Sequence, residues 1–149
     1  MRCEVIVYLD SSSIARSYLS DEGSDDVARR LIDDPETTTI SGSWSRIEVT
    51  GALVRAERAG RARNALRRFE SDTAPRTGTI HLVDSDQAEL EYVALSIVRR
   101  TGMRAMDAWH LSSAAFALEA LADFGEARAF MTRDAEQARV AEALGFTVL

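Results

Sequence analysis

The sequence predicts an α/β fold, namely a three-layer α/β/α sandwich built on a mainly parallel sheet of about five strands. Short β-branched or apolar runs alternate with longer helical segments along the whole chain, and no internal repeat or low-complexity tract interrupts them. Strands that alternate with helices pair in parallel through right-handed crossovers, with helices on both faces. The 149 residues suffice for one domain, so we expect a single domain over residues 1–149.

The expected elements follow in chain order. Gly23, Pro35 and Gly60 mark breaks between helical segments, and Gly145 ends the last helix. Strands are predicted at 3–9, 37–41, 79–83, 128–132 and 146–149. Helices are predicted at 12–19, 25–32, 44–59, 61–71, 86–100, 106–122 and 135–144. The two halves of the chain should wind in opposite directions from the central strand, which places a reactive crevice beyond the first and fourth strands.

The composition excludes several classes of protein. The net charge of −6 argues against a protein that coats nucleic acid in general, and no apolar run approaches the ~18 residues of a membrane span. The chain starts without a basic and apolar leader, and Cys3 is the only cysteine, so no internal disulfide forms. We therefore expect a cytoplasmic protein with no membrane association.

Two acidic residues follow the strands that should flank the crevice. Asp10 comes directly after the first strand, and Asp134 follows the fourth. Either residue could simply cap the next helix, since Asp is a favoured N-cap and Gln137 lies three residues after Asp134. The same explanation suits Asp86, which has Glu89 three residues on but follows the third strand, expected at the sheet edge. We interpret Asp86 as structural.

Two further acids begin helices that should pack beside those strands. Glu48 has the spacing of a capping box with Ser45, but it also shares a helix face with small and aromatic residues. Asp107 favours the helix dipole as a first-turn acid, yet it lies in register with the apolar stripe of Leu111 and Leu118. An acid that serves only the dipole would more often face water, so both residues are candidates for the crevice.

Together the four acids predict a metal site. Two carboxylates ~5 Å apart repel by about 3 kcal/mol at an effective dielectric of 20, so such a cluster must take up protons or hold a cation. Ligation by oxygen alone suits Mg²⁺ or Mn²⁺ rather than zinc. We therefore expect these residues to meet at one metal-dependent site: Asp10, Glu48, Asp107 and Asp134.

Nearly the whole chain resembles PIN-domain proteins, and specifically the VapC toxins of bacterial toxin–antitoxin pairs. The resemblance rests on "YLDSSSIARSY", "SRIEVTGALVRA", "MRAMDAWHLSSA" and "FMTRDAEQARVAEALGFTVL". It implies an endoribonuclease whose four acids hold Mg²⁺ or Mn²⁺, the fourth being the one that varies most in position, and it implies that Ser12 and Thr132 line the site. It also implies a homodimer and a small cognate antitoxin that pushes a basic side chain toward the acids.

The chemistry of phosphodiester hydrolysis agrees with this resemblance, because a bound divalent ion activates water and neutralises phosphoryl charge. We expect Asp10, Asp107 and Glu48 to hold the ion, and Asp134 to orient water or assist a second ion. The alternatives are a metal-free ribonuclease using His81 and His110, a PIN nuclease of RNA processing, and a catalytically idle binding module. An aspartyl phosphatase fits less well, because that chemistry usually requires a second Asp two residues after the first, and position 12 is Ser.

The remaining charged residues leave alternatives open. Arg104 could pair with a site carboxylate or simply flank its helix. The arginine-rich stretch 55–68 could bind RNA phosphates or form a solvated helical hairpin, and its candidate RNA-binding residues are Arg61, Arg63, Arg67 and Arg68. The acids at 21, 22, 25, 26, 33 and 34 are interpreted as a solvated surface. Ile14, Tyr18 and Leu31 are interpreted as core residues that could alternatively contact an antitoxin.

Overall fold

A computed structural model of the chain describes residues 5–122 and 127–149. Cys3 and Glu4, at the start of the first predicted strand, lie outside the described residues. The strands are β1 (Val5–Leu9), β2 (Thr37–Gly42), β3 (Ile80–Val83), β4 (Ala129–Met131) and β5 (Thr147–Val148). The helices are α1 (Ser11–Arg16), α2 (Asp26–Asp33), α3 (Ser45–Arg58), α4 (Ala65–Asp72), α5 (Gln87–Thr101), α6 (Ala105–Leu121) and α7 (Ala135–Ala143).

The five strands form one parallel sheet in the order β3-β2-β1-β4-β5. The central strand β1 pairs with β2 on one side, where Tyr8 lies opposite Ile40, and with β4 on the other, where Tyr8 lies opposite Phe130. The chain therefore winds outward from β1 in one direction and returns to build β4 and β5 in the other. Both the predicted fold class and the predicted reversal beside the first strand are confirmed, and β3 is an edge strand as expected.

Alternation along the strands divides the core between the two faces of the sheet. Val7 and Leu9 of β1 pack with Met131 of β4 against the four helices α1 to α4. Tyr8 and Phe130, the intervening residues, pack against α5, α6 and α7 on the opposite face. This pattern is typical of a parallel sheet covered by helices on both sides. Two helix layers thus meet above the carboxyl ends of β1 and β4.

The predicted helix at 61–71 begins later than expected, at Ala65. Gly60, in the left-handed conformation, ends α3, and the amide of Arg61 donates to the carbonyl of Ala56 in a Schellman turn. Asn64 is also left-handed, with φ of 53°, which the interior of a helix does not accept. Residues 61–64 therefore form a turn, and α4 starts after it.

The interpretation of Ile14 and Tyr18 as core residues is confirmed, since both side chains are buried in the cluster that the sheet forms with α1 to α4, and Leu31 is partly buried against the same cluster. Within residues 5–122 and 127–149, no helix is long and apolar enough to cross a membrane.

Candidate active site

One pocket of about 550 Å³ opens at the carboxyl end of the sheet, where the winding reverses, and all four predicted acids line it. Asp10 follows β1 and Asp134 follows β4, the two adjacent strands at the reversal. Glu48 comes from α3 in one helix layer, and Asp107 from α6 in the other. Four separate chain segments therefore bring one carboxylate each to a shared space.

Asp10 is buried and held from several sides. Its carboxylate caps α1 by accepting from the amide of Ser13 at 2.7 Å, so the capping interpretation is confirmed. The same residue also lines the pocket. The hydroxyl of Ser12 donates to the same carboxylate at 3.0 Å, and Thr132 Oγ1 lies 2.9 Å from Asp10 Oδ2. Both residues that the resemblance implied at the site, Ser12 and Thr132, therefore contact Asp10.

Thr132 connects Asp10 to the fourth acid through Gln137. The side-chain oxygen of Gln137 lies 2.6 Å from Thr132 Oγ1, and its amide nitrogen donates to the backbone carbonyl of Asp107. Asp134 caps α7 by accepting from the backbone amide of Gln137 at 2.8 Å. The buried Gln137 thus ties the three segments that carry Asp10, Asp107 and Asp134. Sequence reasoning treated Gln137 only as part of a cap and missed this role.

Glu48 faces His110 of α6 rather than capping its own helix. Glu48 Oε1 lies 2.8 Å from His110 Nε2, and Ser11 Oγ lies 3.2 Å from the same nitrogen. Of the two interpretations of Glu48, the capping box is wrong, because α3 has Trp44 at its N-cap with no side-chain cap bond, and the hydroxyl of Ser45 pairs with that of Ser41. Glu48 is therefore free of the helix end and directed to the pocket.

The contact with Glu48 places a hydrogen on Nε2 of His110. The Glu48 carboxylate can only accept, so Nε2 must donate to it. On the other side of the ring, the hydroxyl of Tyr8 lies 2.9 Å from Nδ1, while the same oxygen accepts from the amide of Gly42. Burial raises the pKa of Tyr8, so this phenol stays protonated beside Nδ1. His110, 2% exposed, thus orients Glu48 from within the core.

Arg104 pairs with two of the site carboxylates. Its Nε donates to Asp107 Oδ2 at 2.8 Å, and its Nη2 donates to Asp134 Oδ2 at 3.0 Å. The hydrogen bond to Asp107, then the charge of Asp107 and that of Asp134, raise the pKa of Arg104. Of the two interpretations of Arg104, pairing with site carboxylates is therefore confirmed.

Two further arginines, Arg16 and Arg133, line the pocket and were not predicted. Arg133 makes a two-pronged pair with Asp25, through Nε at 2.7 Å and Nη2 at 2.9 Å. The interpretation of Asp25 as solvated surface is wrong, because its side chain is only 4% exposed. Asp25 also caps α2 by accepting from the amide of Ala28, so it fixes that helix to the segment that follows β4. Asp25 lies in a stretch rich in acidic residues, and nothing in the sequence distinguishes it from its neighbours or points to Arg133.

The arginine-rich stretch lies beside the pocket rather than in it. Arg61 pairs with Asp21 and lines a neighbouring pocket that also includes Ser12 and Arg16, and the guanidinium of Arg68 lies over the ring of Tyr18. Arg63 and Arg67 are exposed. His81, on the edge strand β3, is exposed and does not line the site pocket, so the two histidines of the metal-free alternative do not meet there.

The donor set fits Mg²⁺ or Mn²⁺ by its chemistry, although the carboxylates are not gathered as tightly as predicted. Asp107 and Asp134 converge on one cationic group, the guanidinium of Arg104. Within residues 5–122 and 127–149, no three Asp, Glu, His or Cys side chains lie close enough to hold one ion. Mg²⁺ keeps several waters and needs only one or two protein carboxylates, so an arrangement of this kind can bind it.

The chain matches no protein-family model, and no curated protein is significantly similar to it in sequence.

Proposed function

We propose that the protein is a Mg²⁺- or Mn²⁺-dependent endoribonuclease of the PIN type. The observation that carries the proposal is the convergence of four carboxylates from four chain segments on one pocket at the winding reversal of a parallel sheet. Ligands bind at this position in open α/β sheets. Arg104 neutralises part of the charge of Asp107 and Asp134, but Asp10 and Glu48 have no arginine partner within the described residues, and a divalent ion would offset the charge that remains, which favours a metal-dependent enzyme over an idle binding module.

In this proposal, the ion would bind among Asp10, Glu48 and Asp107, directly to one or two of these carboxylates and through its own waters to the rest, and Asp134 would orient the attacking water. The ion supplies charge neutralisation at the phosphate and a water of lowered pKa. Ser12 and Thr132 keep the Asp10 carboxylate in place, and His110 does the same for Glu48. The acids cannot attract RNA themselves, so the arginines Arg16, Arg104 and Arg133 at the pocket supply the positive charge that an RNA phosphate needs.

The reaction is hydrolysis of the bond between phosphorus and the 3′ oxygen. The water oxygen forms a new bond to phosphorus, and the 3′ oxygen leaves with a proton, giving a 5′-phosphate and a 3′-hydroxyl. The 2′-hydroxyl takes no part. A 2′,3′-cyclic phosphate among the products would contradict this mechanism and would favour a metal-free ribonuclease.

The deciding experiment is a cleavage assay on total RNA with Mg²⁺, comparing the wild type with Asp10→Ala and Asp107→Asn. We expect cleavage by the wild type, its loss in EDTA and its loss in both variants. Asp86→Ala is the matched control for Asp10→Ala, because Asp86 caps α5 in the same way as Asp10 caps α1 but does not line the pocket. Equal cleavage in the wild type, Asp10→Ala and Asp107→Asn would defeat the proposal.

The finer proposal is that the enzyme is a cytoplasmic toxin, forms a homodimer and is silenced by a small cognate antitoxin. Its support is the resemblance of the four motifs to VapC toxins. An arginine from such a partner would compete with the metal at the acids on simple charge grounds. Expression of the wild type should arrest growth, Asp107→Asn should not, and a small protein encoded beside it should co-purify. RNA cleavage without growth arrest would instead indicate a PIN nuclease of RNA processing.

A further inference from the structure

The guanidinium of Arg104 occupies a bridging position between two acids of the site. It reaches Asp107 Oδ2 and Asp134 Oδ2 from the residue that precedes α6, while the side chain itself remains 75% exposed. Little packing fixes a side chain so exposed, so these two carboxylates determine where its charge lies. Arg104 is also the only arginine within the described residues that pairs with acids lining the site pocket.

A guanidinium and a divalent ion are alternative partners for the same oxygens. Each neutralises carboxylate charge, and the two cations repel each other when they share the same carboxylates. The hydrogen bonds from Arg104 occupy one lone pair of Asp107 Oδ2 and one of Asp134 Oδ2, and they place a positive charge beside the oxygens that an ion would use. Metal binding therefore competes with Arg104 and favours its displacement.

The other pocket arginines do not have this property. Arg133 is retained by Asp25, a buried residue outside the set of four acids, with two hydrogen bonds. Arg16 makes no ion pair in the described part of the chain, so its charge needs no release before it can meet a phosphate. Arg104 alone is positioned to be displaced by the metal and to remain at the pocket with its charge unpaired.

We propose that Arg104 exchanges partners: without metal it bridges Asp107 and Asp134, and with metal bound it swings to the RNA and binds a phosphate beside the scissile bond. This inference rests on the proposed nuclease function. The planar guanidinium can donate two parallel hydrogen bonds to a carboxylate or to a phosphate, so one side chain can serve both states. Without metal, Arg104 would neutralise the two carboxylates, and with metal and RNA present it would bind the substrate phosphate.

The first test measures Mn²⁺ affinity by calorimetry, with electron paramagnetic resonance of free Mn²⁺ as a second readout. Arg104→Gln removes the competing cation, and surface ion pairs of this kind predict roughly threefold to tenfold tighter binding. Arg29→Gln is the matched control, since Arg29 also bridges two aspartates, Asp33 and Asp72, outside the pocket. It should leave Mn²⁺ affinity unchanged. A purely structural Arg104 would give equal or weaker binding in Arg104→Gln, and that result would overturn the proposal.

The second test measures RNA cleavage at saturating Mn²⁺, where competition for the carboxylates no longer matters. Arg104→Gln should raise KM about tenfold or more with a smaller effect on kcat, and should reduce the salt dependence of RNA binding by about 0.7 in logarithmic slope, as expected for one lost phosphate contact. Arg104→Lys should recover part of the KM. An unchanged KM and slope would refute the exchange.

These results separate the exchange from the proposed function. A wild type that binds Mn²⁺ and cleaves RNA, with Arg104→Gln identical to it in both, would overturn the exchange alone. A wild type that binds no Mn²⁺ would overturn both, whereas one that binds Mn²⁺ but cleaves no RNA would overturn the nuclease function and, with it, the phosphate half of the exchange.

Discussion

His110 Nε2 lies 2.8 Å from Glu48 Oε1, and this contact joins the two helix layers above the end of the sheet. Glu48 belongs to α3, which packs on one face, and His110 to α6, which packs on the other. Tyr8 fixes the second nitrogen of the ring from the central strand. A carboxylate with 29% exposure is thereby oriented by a histidine that is itself immobilised in the core.

We predict that His110→Ala impairs metal-dependent cleavage by about 10- to 100-fold, the usual cost of removing a partner that orients a metal ligand. Mn²⁺ affinity should fall together with activity, because Glu48 loses the donor that fixes its orientation. His81→Ala is the control, since that residue is exposed on β3 and away from the pocket. Calorimetry with Mn²⁺ and cleavage assays in parallel would measure both effects.

The same variants test the metal-free alternative. If His110 were an acid or base in its own right, wild-type cleavage would persist in EDTA and His110→Ala would abolish it at any metal concentration. Partial recovery of His110→Ala activity at high Mn²⁺ is expected only if the histidine acts through Glu48.

We next predict that the ion pair of Asp25 and Arg133 stabilises the fold in a pH-dependent way. Burial raises the pKa of the Asp25 carboxyl, but the hydrogen bonds from Arg133 and from the backbone of Ala28 outweigh burial and leave the pKa below its ordinary value. A carboxyl with a lowered pKa contributes stability above its unfolded pKa of about 3.9, and loses it as the pH falls through the lower folded value.

Asp25→Asn isolates this charge, because Asn still caps α2. At pH 7 the free energy of unfolding should fall by about 1–2 kcal/mol, the worth of a charged hydrogen-bonded pair at a largely buried site. Denaturation in urea between pH 7 and pH 3 should show the difference between wild type and variant shrinking below about pH 4. A difference that stays constant to pH 3 would indicate lost packing rather than lost charge.

Much of this architecture could be predicted because it follows from periodicity and order along the chain. The alternation of short strands and helices determined the parallel sheet, and the reversal at β1 followed from it. The four acids could be grouped because each begins or precedes a helix at one end of that sheet. For these acids, the position of the residue within its strand or helix determines the end of the sheet at which it lies.

The contacts between distant segments could not be predicted. Ser45 and Glu48 have the spacing of a capping box, but the tertiary partner His110, 62 residues away, takes the carboxylate instead. Asp25 looked like one more surface acid, and only the fold brings Arg133 to it across 108 residues. Local spacing carries no information on such pairings, and a single sequence offers no covariation from which to find them.

The surface arginines should differ in their contribution to RNA binding according to their distance from the pocket. Arg16 lines the site pocket and its neighbour, whereas Arg63 and Arg67 line neither. We predict that Arg16→Gln lowers the slope of logarithmic RNA affinity against logarithmic salt by about 0.7, and that the double variant Arg63→Gln with Arg67→Gln changes it little. Filter binding over a salt series would measure the slopes. A larger change in the double variant would show that the RNA crosses the α3–α4 hairpin.

The last prediction concerns Gly42, where β2 ends beneath α6. A Cβ at this position would lie 2.5 Å from Trp109 Cη2 and 2.6 Å from Ser113 Oγ, so α6 and the sheet would have to separate. Gly42→Ala should therefore lower the free energy of unfolding by about 2 kcal/mol, as overpacking of a buried site does.

Gly51 provides the contrast to Gly42. It lies within α3, where an added Cβ meets only the flexible end of Arg55 at 3.3 Å. Gly51→Ala should raise the free energy of unfolding by about 0.5–1 kcal/mol, because alanine loses less backbone entropy in a helix. Urea denaturation of both variants measures the two effects. If Gly42→Ala proved as stable as the wild type, the close approach of Trp109 to β2 would be wrong, and with it the placement of α6 that aims Asp107 and His110 at the pocket.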